Sequence, residues 1–325
     1  YRKVQIYDFV KMDPYRIVYT ISLINGTHDT PGFIDIDLDG YLDIVIMDSF
    51  SRLYAFNGLD GSLIWLDDSR TGTAPMGTPD GWIDPGVIVY DLDNDNLSEI
   101  LYTPFIGKIV ALNHDDSLLW ETDIGAYCGA TPAIIDMGNY IGVVIGSDNK
   151  TLFLLNGSNG KLIWSRVFEY RIRASPVVFD VNNDGVDEII VAINGRWGAG
   201  YNLFIVNSSN GEIMRQYYTY HDVTSTPAVD DIDNDGVVEI VAADHAGYIY
   251  IFDTMSGEQE KLFSTDYWIC SSITVTDLDL DGSKEILVGS SNWNLYVIDG
   301  STKEIKETIK LGGKIILKKV FNLVQ

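Results

Sequence analysis

Cysteine is nearly absent from this chain, long apolar runs are missing, and acidic residues outnumber basic ones by more than two to one. With only Cys128 and Cys270 and no CxxC spacing, neither a thiolate zinc cluster nor a disulfide framework can be built. The pair reads as two buried thiols, with a mutual disulfide as the alternative. No apolar stretch approaches the roughly 18 residues that span a bilayer as a helix. Tyr1-Arg2-Lys3 does not begin a signal peptide, so the chain reads as a mature or excised domain. The 22 Lys and Arg form no stripe, and a net charge of −25 repels a phosphate backbone, which excludes nucleic acid as a partner. Nucleophile elbow, metalloprotease helix and phosphate loop are all missing. The four histidines, His28, His114, His221 and His245, fall at unrelated positions and read as surface or interface residues.

What is present is apolar volume. At 46% hydrophobic and 12% aromatic, the 325 residues can fill a large core, and all-β folds of this length often form one domain, here 1–325. Sequons at Asn25, Asn96, Asn149, Asn156 and Asn207 fit a secreted glycoprotein.

One pattern recurs six times: a small residue, apolar alternation, an acidic loop, an apolar run, then a Leu-Tyr-like alternation ending in an aromatic. The loops begin at Asp35, Asp91, Asp136, Asp180, Asp231 and Asp277, separated by 56, 45, 44, 51 and 46 residues, the length of a four-stranded propeller blade. Within one unit the strands read Pro132–Asp136, Gly142–Gly146, Leu152–Leu155 and Lys161–Trp164, with turns at Asn156-Gly157 and Asn159-Gly160. Trp65, Trp120 and Trp164 share one register and read as packing between blades. The fold expected is all-β, a seven-bladed propeller of four-stranded antiparallel blades, with repeats at approximately 31–82, 83–129, 130–173, 174–224, 225–271 and 272–311. Segments 1–30 and 312–325 would make a composite seventh blade: Val4–Phe9 and Arg16–Ile21 as third and fourth strands, Lys314–Phe321 as the first. Its second strand has no obvious donor, so that blade is incomplete or the natural chain is longer; six or eight blades are the alternative counts.

Five loops carry the chemistry: DIDLDGYLD from Asp35, DLDNDNLSE from Asp91, DVNNDGVDE from Asp180, DIDNDGVVE from Asp231 and DLDLDGSKE from Asp277. Ca²⁺ takes six to eight oxygens, and alternate residues of a tight loop can all point inward. Positions 1, 3 and 5 supply side chains, Gly at position 6 permits a left-handed turn, position 7 offers its carbonyl and position 9 closes the shell. The ligands expected are Asp35, Asp37, Asp39, Tyr41 and Asp43; Asp91, Asp93, Asp95, Leu97 and Glu99; Asp180, Asn182, Asp184, Val186 and Glu188; Asp231, Asp233, Asp235, Val237 and Glu239; and Asp277, Asp279, Asp281, Ser283 and Glu285. Asn96 stands where the other loops have Gly. The Asp136 repeat places Gly138, Tyr140 and Val144 at ligand positions and is expected to hold no metal. Polar turns are common anywhere, but five copies in one register, with 19 carboxylates crowded into them, call for cations. Five Ca²⁺ would take the formal balance to about −15.

These loops resemble the calcium-binding FG-GAP or VCBS repeats of integrin α propellers and many microbial surface proteins, and the resemblance spans nearly the whole chain. It implies a calcium-stapled propeller in a cell-adhesion or surface protein. The Phe-Gly and Gly-Ala-Pro signatures of integrin repeats are not clearly present, so integrin-like partner recognition does not carry over. The turn NGSNGKLIW is also similar to quinoprotein (pyrroloquinoline quinone) repeats, in blade geometry only, since their adjacent cysteine pair is absent.

In a propeller the loop joining strands one and two lies on one face, and the segments entering strand one lie on the other. Calcium and ligand would therefore occupy opposite faces. The entering segments carry His28, Trp82, Tyr127, Tyr170 with Arg171 and Arg173, Tyr220 with His221, and Tyr267 with Trp268; a longer loop adds Arg196 and Trp197. From these, Trp82, Tyr127, Arg171, Arg173, Trp197, His221, Tyr267 and Trp268 are the candidate ligand-binding residues, suited to a glycan or a protein; loop packing is the plainer alternative. The expected function is a non-catalytic, extracellular or cell-surface recognition module. The alternatives are a calcium-dependent polysaccharide lyase of the rhamnogalacturonan type, using His221 with Arg171 or Arg173, and a structural subunit of a surface layer or filament.

Overall fold

A computed structural model describes residues 2–7, 17–24, 30–72, 86–194, 200–269 and 271–311. These contain strands and no helix. Six four-stranded antiparallel sheets follow one another along the chain, spanning 32–67, 88–123, 133–167, 177–219, 228–264 and 274–310, here blades 1 to 6. In each, the strands pair in simple up-and-down order. The first strands of blades 1 and 2, 3 and 4, 4 and 5, and 5 and 6 are neighbours, which places first strands innermost. Fourth strands are outermost; Ile213–Thr219 alternates towards solvent, and Glu304–Lys310 is exposed at every position but one.

Burial follows from this stacking. A blade has a neighbour on each face, so its second strand is covered on both sides and reads as a continuous apolar run. Asp43–Met47, Glu188–Ala192 and Glu239–Ala243 are buried at every position. The core is correspondingly a series of inter-blade clusters; one joins Ile190, Leu203 and Tyr217 of blade 4 to Ile240, Ala242 and Tyr250 of blade 5.

Each fourth strand carries a bulge shortly after its turn, as where Leu154 faces Trp164 and Leu155 faces Leu162. The extra residue re-aims the side chain that follows. In blades 2 and 3 that side chain is an indole lying on the next blade's turn. Trp120 donates Nε1–H to Gly157 O at 2.5 Å, and Trp164 donates to Ser208 O at 2.8 Å. A Cβ at Gly160 would stand 2.5 Å from the Trp120 ring, so the turn must be bare there. In blade 1 the indole Nε1 of Trp65 is buried without a hydrogen-bond partner, and the turn position matching Gly160 is Asp116, at φ 67°.

Arg2–Tyr7 and Ile17–Leu23 form a separate antiparallel hairpin. Its residues Ile21 and Leu23 pack on Ile46, Tyr54 and Phe56 of blade 1, as a blade preceding it would. Six complete sheets plus this hairpin agree with the seven-bladed reading. The proposed inner strand Lys314–Phe321 lies outside the described residues.

Candidate metal centres and the opposite face

The five acidic loops join the first and second strands of blades 1, 2, 4, 5 and 6. Their backbone is wound the same way in each. The position-1 Asp accepts from the N–H of position 5 at 3.0 to 3.2 Å and from that of position 6 at 2.8 to 3.0 Å. The position-5 Asp accepts from the N–H of position 7, on Tyr41, Leu97, Val186, Val237 and Ser283, at 2.7 to 2.9 Å. Two residues per loop are left-handed. Position 6 is one, as expected, with φ from 71° at Asn96 to 95° at Gly282. Position 4 is the other, at Leu38, Asn94, Asn183, Asn234 and Leu280, and the sequence reading missed it because Leu is a poor guide to that conformation. Asn at three of the five was the available signal.

The position-9 acid opens the second strand and is buried in every loop. One oxygen of each Glu accepts the N–H of position 2, from Leu92, Val181, Ile232 and Leu278, at 2.6 to 3.2 Å. The other oxygen is directed elsewhere. Burial and then the neighbouring acidic charges push the carboxyls of Glu99, Glu188 and Glu239 up to about 7.

Carboxylate oxygens within 4.8 Å of one another come together as Asp35, Asp37 and Asp39; Asp91, Asp93 and Glu99; Asp231, Asp233 and Glu239; and Asp277, Asp279 and Glu285. Asp43 does not join its group: it is one methylene shorter than Glu, and its oxygens accept from Ile36 N and Gly58 N, each at 2.9 Å. The Asp180 loop is not brought together in this way. There Asn182 points its amide donor at Glu188 Oε1, 3.2 Å away, while its own oxygen accepts from Asp184 N. An all-oxygen, strongly anionic donor set on a strained, hydrogen-bonded loop fits a hard cation of the calcium type. The Asp136 repeat instead makes a short turn, Gly138 N–H donating to Asp136 at 2.7 Å.

The loops of blades 4 and 5 also border a blade seam. Thr254 of blade 5 donates to Val181 O of the blade 4 loop at 2.9 Å, and a Cβ on Gly300 of blade 6 would stand 2.4 Å from Ile232 O of the blade 5 loop. Between loops, Asn183 donates to Gly236 O and Asn234 to Gly282 O.

The far ends of blades 4 to 6 carry aromatic side chains. Tyr201, Tyr218, Tyr220, Tyr267 and Trp268 are about half exposed. Tyr218 meets Tyr201 and Tyr220 edge-on, while Trp268 stacks on His245 at 5.1 Å. His221 pairs with Asp222. Arg173 makes a two-pronged contact to Asp148 at 2.7 and 2.6 Å, with Arg171 more distant at 3.8 Å. Tyr127 is buried against Phe105 and is not on the surface, which removes it from direct ligand contact. Trp82 and Trp197 lie outside the described residues. The sequence reading did not single out Tyr201 and Tyr218; their alternation at strand ends looked like ordinary β-sheet pattern.

Fold and loops together define a β-propeller with FG-GAP-like repeats. A family profile described as FG-GAP-like repeat matches residues 231–288, which hold the Asp231 and Asp277 loops. No curated protein sequence matches the chain. Among solved structures, BamB from Moraxella catarrhalis is similar with a TM-score of 0.68 at 15% identity, covering 95% of this chain and 84% of that one. BBS1N, in a complex with ARL6DN, is similar with a TM-score of 0.57 at 12% identity, covering 90% and 83%. At such identities the likeness is one of fold. No helix of the described residues is long and apolar enough to cross a membrane.

Proposed function

We propose that the chain is a non-catalytic recognition module whose blades are stapled by calcium at five strand-one to strand-two loops, and whose ligand docks on the opposite, aromatic face. The observation that carries the calcium reading is the repeated loop winding on the position-1 and position-5 Asp, joined in the Asp91 and Asp231 loops by a buried Glu, Glu99 or Glu239, that is held by one oxygen and keeps the second for an ion. Positions 1, 3 and 5, with the position-7 carbonyl, would hold the ion, joined by the position-9 Glu in the loops that have one, and the ion would supply charge neutralisation at a blade seam. Modest-affinity sites of this kind fill where calcium is abundant, which supports an extracellular or cell-surface setting.

Aromatic, half-exposed residues at the far ends of blades 4 to 6 support recognition there, because Tyr and Trp give rigid contact area with a polar tip. A protein ligand has the better support, since a propeller of the same fold, BBS1N, is complexed with a protein partner. Of the groups a lyase would recruit, Arg173 and His221 are committed to Asp148 and Asp222, while Arg171 stands 3.8 Å from Asp148 and stays half exposed. The test has two parts. Elemental analysis of purified protein should find calcium, and its removal should lower the melting temperature. Affinity capture from the native source should recover one defined protein, and Trp268→Ala with Tyr220→Ala should lose it without loss of calcium. Capture unchanged by these substitutions would place recognition elsewhere.

A further inference from the structure

Two of the acidic loops already touch a cation of the chain's own. The ammonium of Lys306, on the outer strand of blade 6, lies 2.8 Å from Asp279 Oδ2 and 3.1 Å from Glu285 Oε1. These belong to positions 3 and 9 of the Asp277 loop, and Oε1 is the Glu285 oxygen that Leu278 N–H leaves available. The ammonium of Lys303 lies 2.8 Å from Asp233 Oδ2, position 3 of the Asp231 loop, and 2.9 Å from Glu260. It reaches that loop across the seam from the turn of blade 6, where Lys303 takes the left-handed position that Gly160 and Gly211 hold in blades 3 and 4. Among the described residues, no Lys or Arg is paired with a carboxylate of the Asp35, Asp91 or Asp180 loops.

We propose that Lys303 and Lys306 are internal competitors for calcium: each neutralises its loop when the ion is scarce and must be displaced for the ion to enter. This rests on the calcium reading of the loops. An ammonium and a calcium ion cannot share one carboxylate oxygen without strong repulsion, so loading the blade 5 and blade 6 sites includes breaking an ion pair that no described Lys or Arg makes with the Asp35 and Asp91 loops. Both lysines have long flexible stems that let them withdraw to solvent. The outer end of the described chain would then fill its sites last as calcium rises, while its metal-free loops keep a counter-ion against their own repulsion.

The experiment is calorimetric titration of calcium into the metal-stripped full chain, as wild type, Lys303→Met, Lys306→Met and Lys306→Arg, with melting curves of the stripped forms. Wild type should show at least two affinity classes. Each Met variant should move one site to tighter binding by about tenfold, while Lys306→Arg stays near wild type because it keeps the charge. The stripped Lys306→Met protein should melt below stripped wild type, a change that simple relief of crowding would not produce. A wild type that loads calcium while the Met variants bind with unchanged or weaker affinity overturns the inference alone. A wild type that takes up no calcium overturns the calcium reading and the inference with it.

Discussion

The side-chain amide of Asn234 donates to the carbonyl of Gly282, 2.7 Å away, and so ties the acidic loop of blade 5 to that of blade 6. One blade earlier Asn183 makes the same bond to Gly236 at 3.3 Å. Position 4 therefore has two duties: it adopts the left-handed turn and links neighbouring loops. Leu38 and Leu280 perform the first without the second. Asn234→Leu should accordingly keep the loop backbone and lose only the link, lowering stability by about 1 kcal/mol. Chemical denaturation with calcium added measures this, and an unchanged midpoint would mean that the link adds nothing.

The two kinds of position-9 acid should respond differently to neutralisation. Glu239→Gln keeps an oxygen for Ile232 N–H and loses the charge offered to the ion, so calcium stoichiometry should fall by one with modest loss of stability. Asp43→Asn turns one of its two acceptors into a donor facing a backbone N–H, at Ile36 or Gly58. That should cost about 1 to 3 kcal/mol and leave stoichiometry closer to wild type. Equal stoichiometries in the two variants would contradict the geometric distinction.

Acidity should separate the stripped and loaded proteins. Burial raises Glu99, Glu188 and Glu239 from an ordinary 4.5 to about 7, so the folded metal-free chain holds their protons more tightly than the unfolded chain does. Their contribution is full below 4.5 and is lost as the pH rises through about 7. Melting temperatures of metal-stripped protein should thus fall between about pH 5 and about pH 8, whereas calcium, which takes the charged form, should flatten that decline and release protons as it binds. Parallel curves with and without calcium would count against these residues as ligands.

The seam between blades 1 and 2 should be improvable. Asp116 sits where Gly is found in blades 3 and 4, at φ 67°, with a carboxylate oxygen buried and unpaired. Burial, then the charge of Asp67, raises its carboxyl above the usual range. Asp116→Gly removes the buried charge and relaxes the turn, and should raise stability by about 1 kcal/mol. A lower melting temperature would show that the carboxylate has a partner in solution.

Much of the blade and of the acidic loop was legible in sequence because both are local. A strand-turn-strand unit repeats its pattern within about 45 residues, and an ion-binding turn draws its side chains from nine consecutive positions. What escaped was set by contacts beyond each local pattern, or by a backbone conformation that the residue type does not signal. Leu38 gave no sign of a left-handed turn, Asp43 looked like Glu99 until Gly58 was seen taking its oxygen, and Tyr127 looked like a surface residue although Phe105 covers it. Tyr201 and Tyr218 became a surface only when the ends of two strands met Tyr220.

The amino-acid sequence by itself determined the all-β architecture, the repeat length and the positions of five acidic turns, because periodicity and turn chemistry act between residues near in the chain. The tertiary structure decided which carboxylates converge, which are already held by backbone N–H groups, and which loops meet Lys303 or Lys306. Some of these contacts lie within one blade, as where Gly58 holds Asp43 or Lys306 meets Asp279, and others cross a seam, as where Lys303 meets Asp233 and Asn234 meets Gly282; in both cases the partners come from different strands and turns, and no local pattern encodes them.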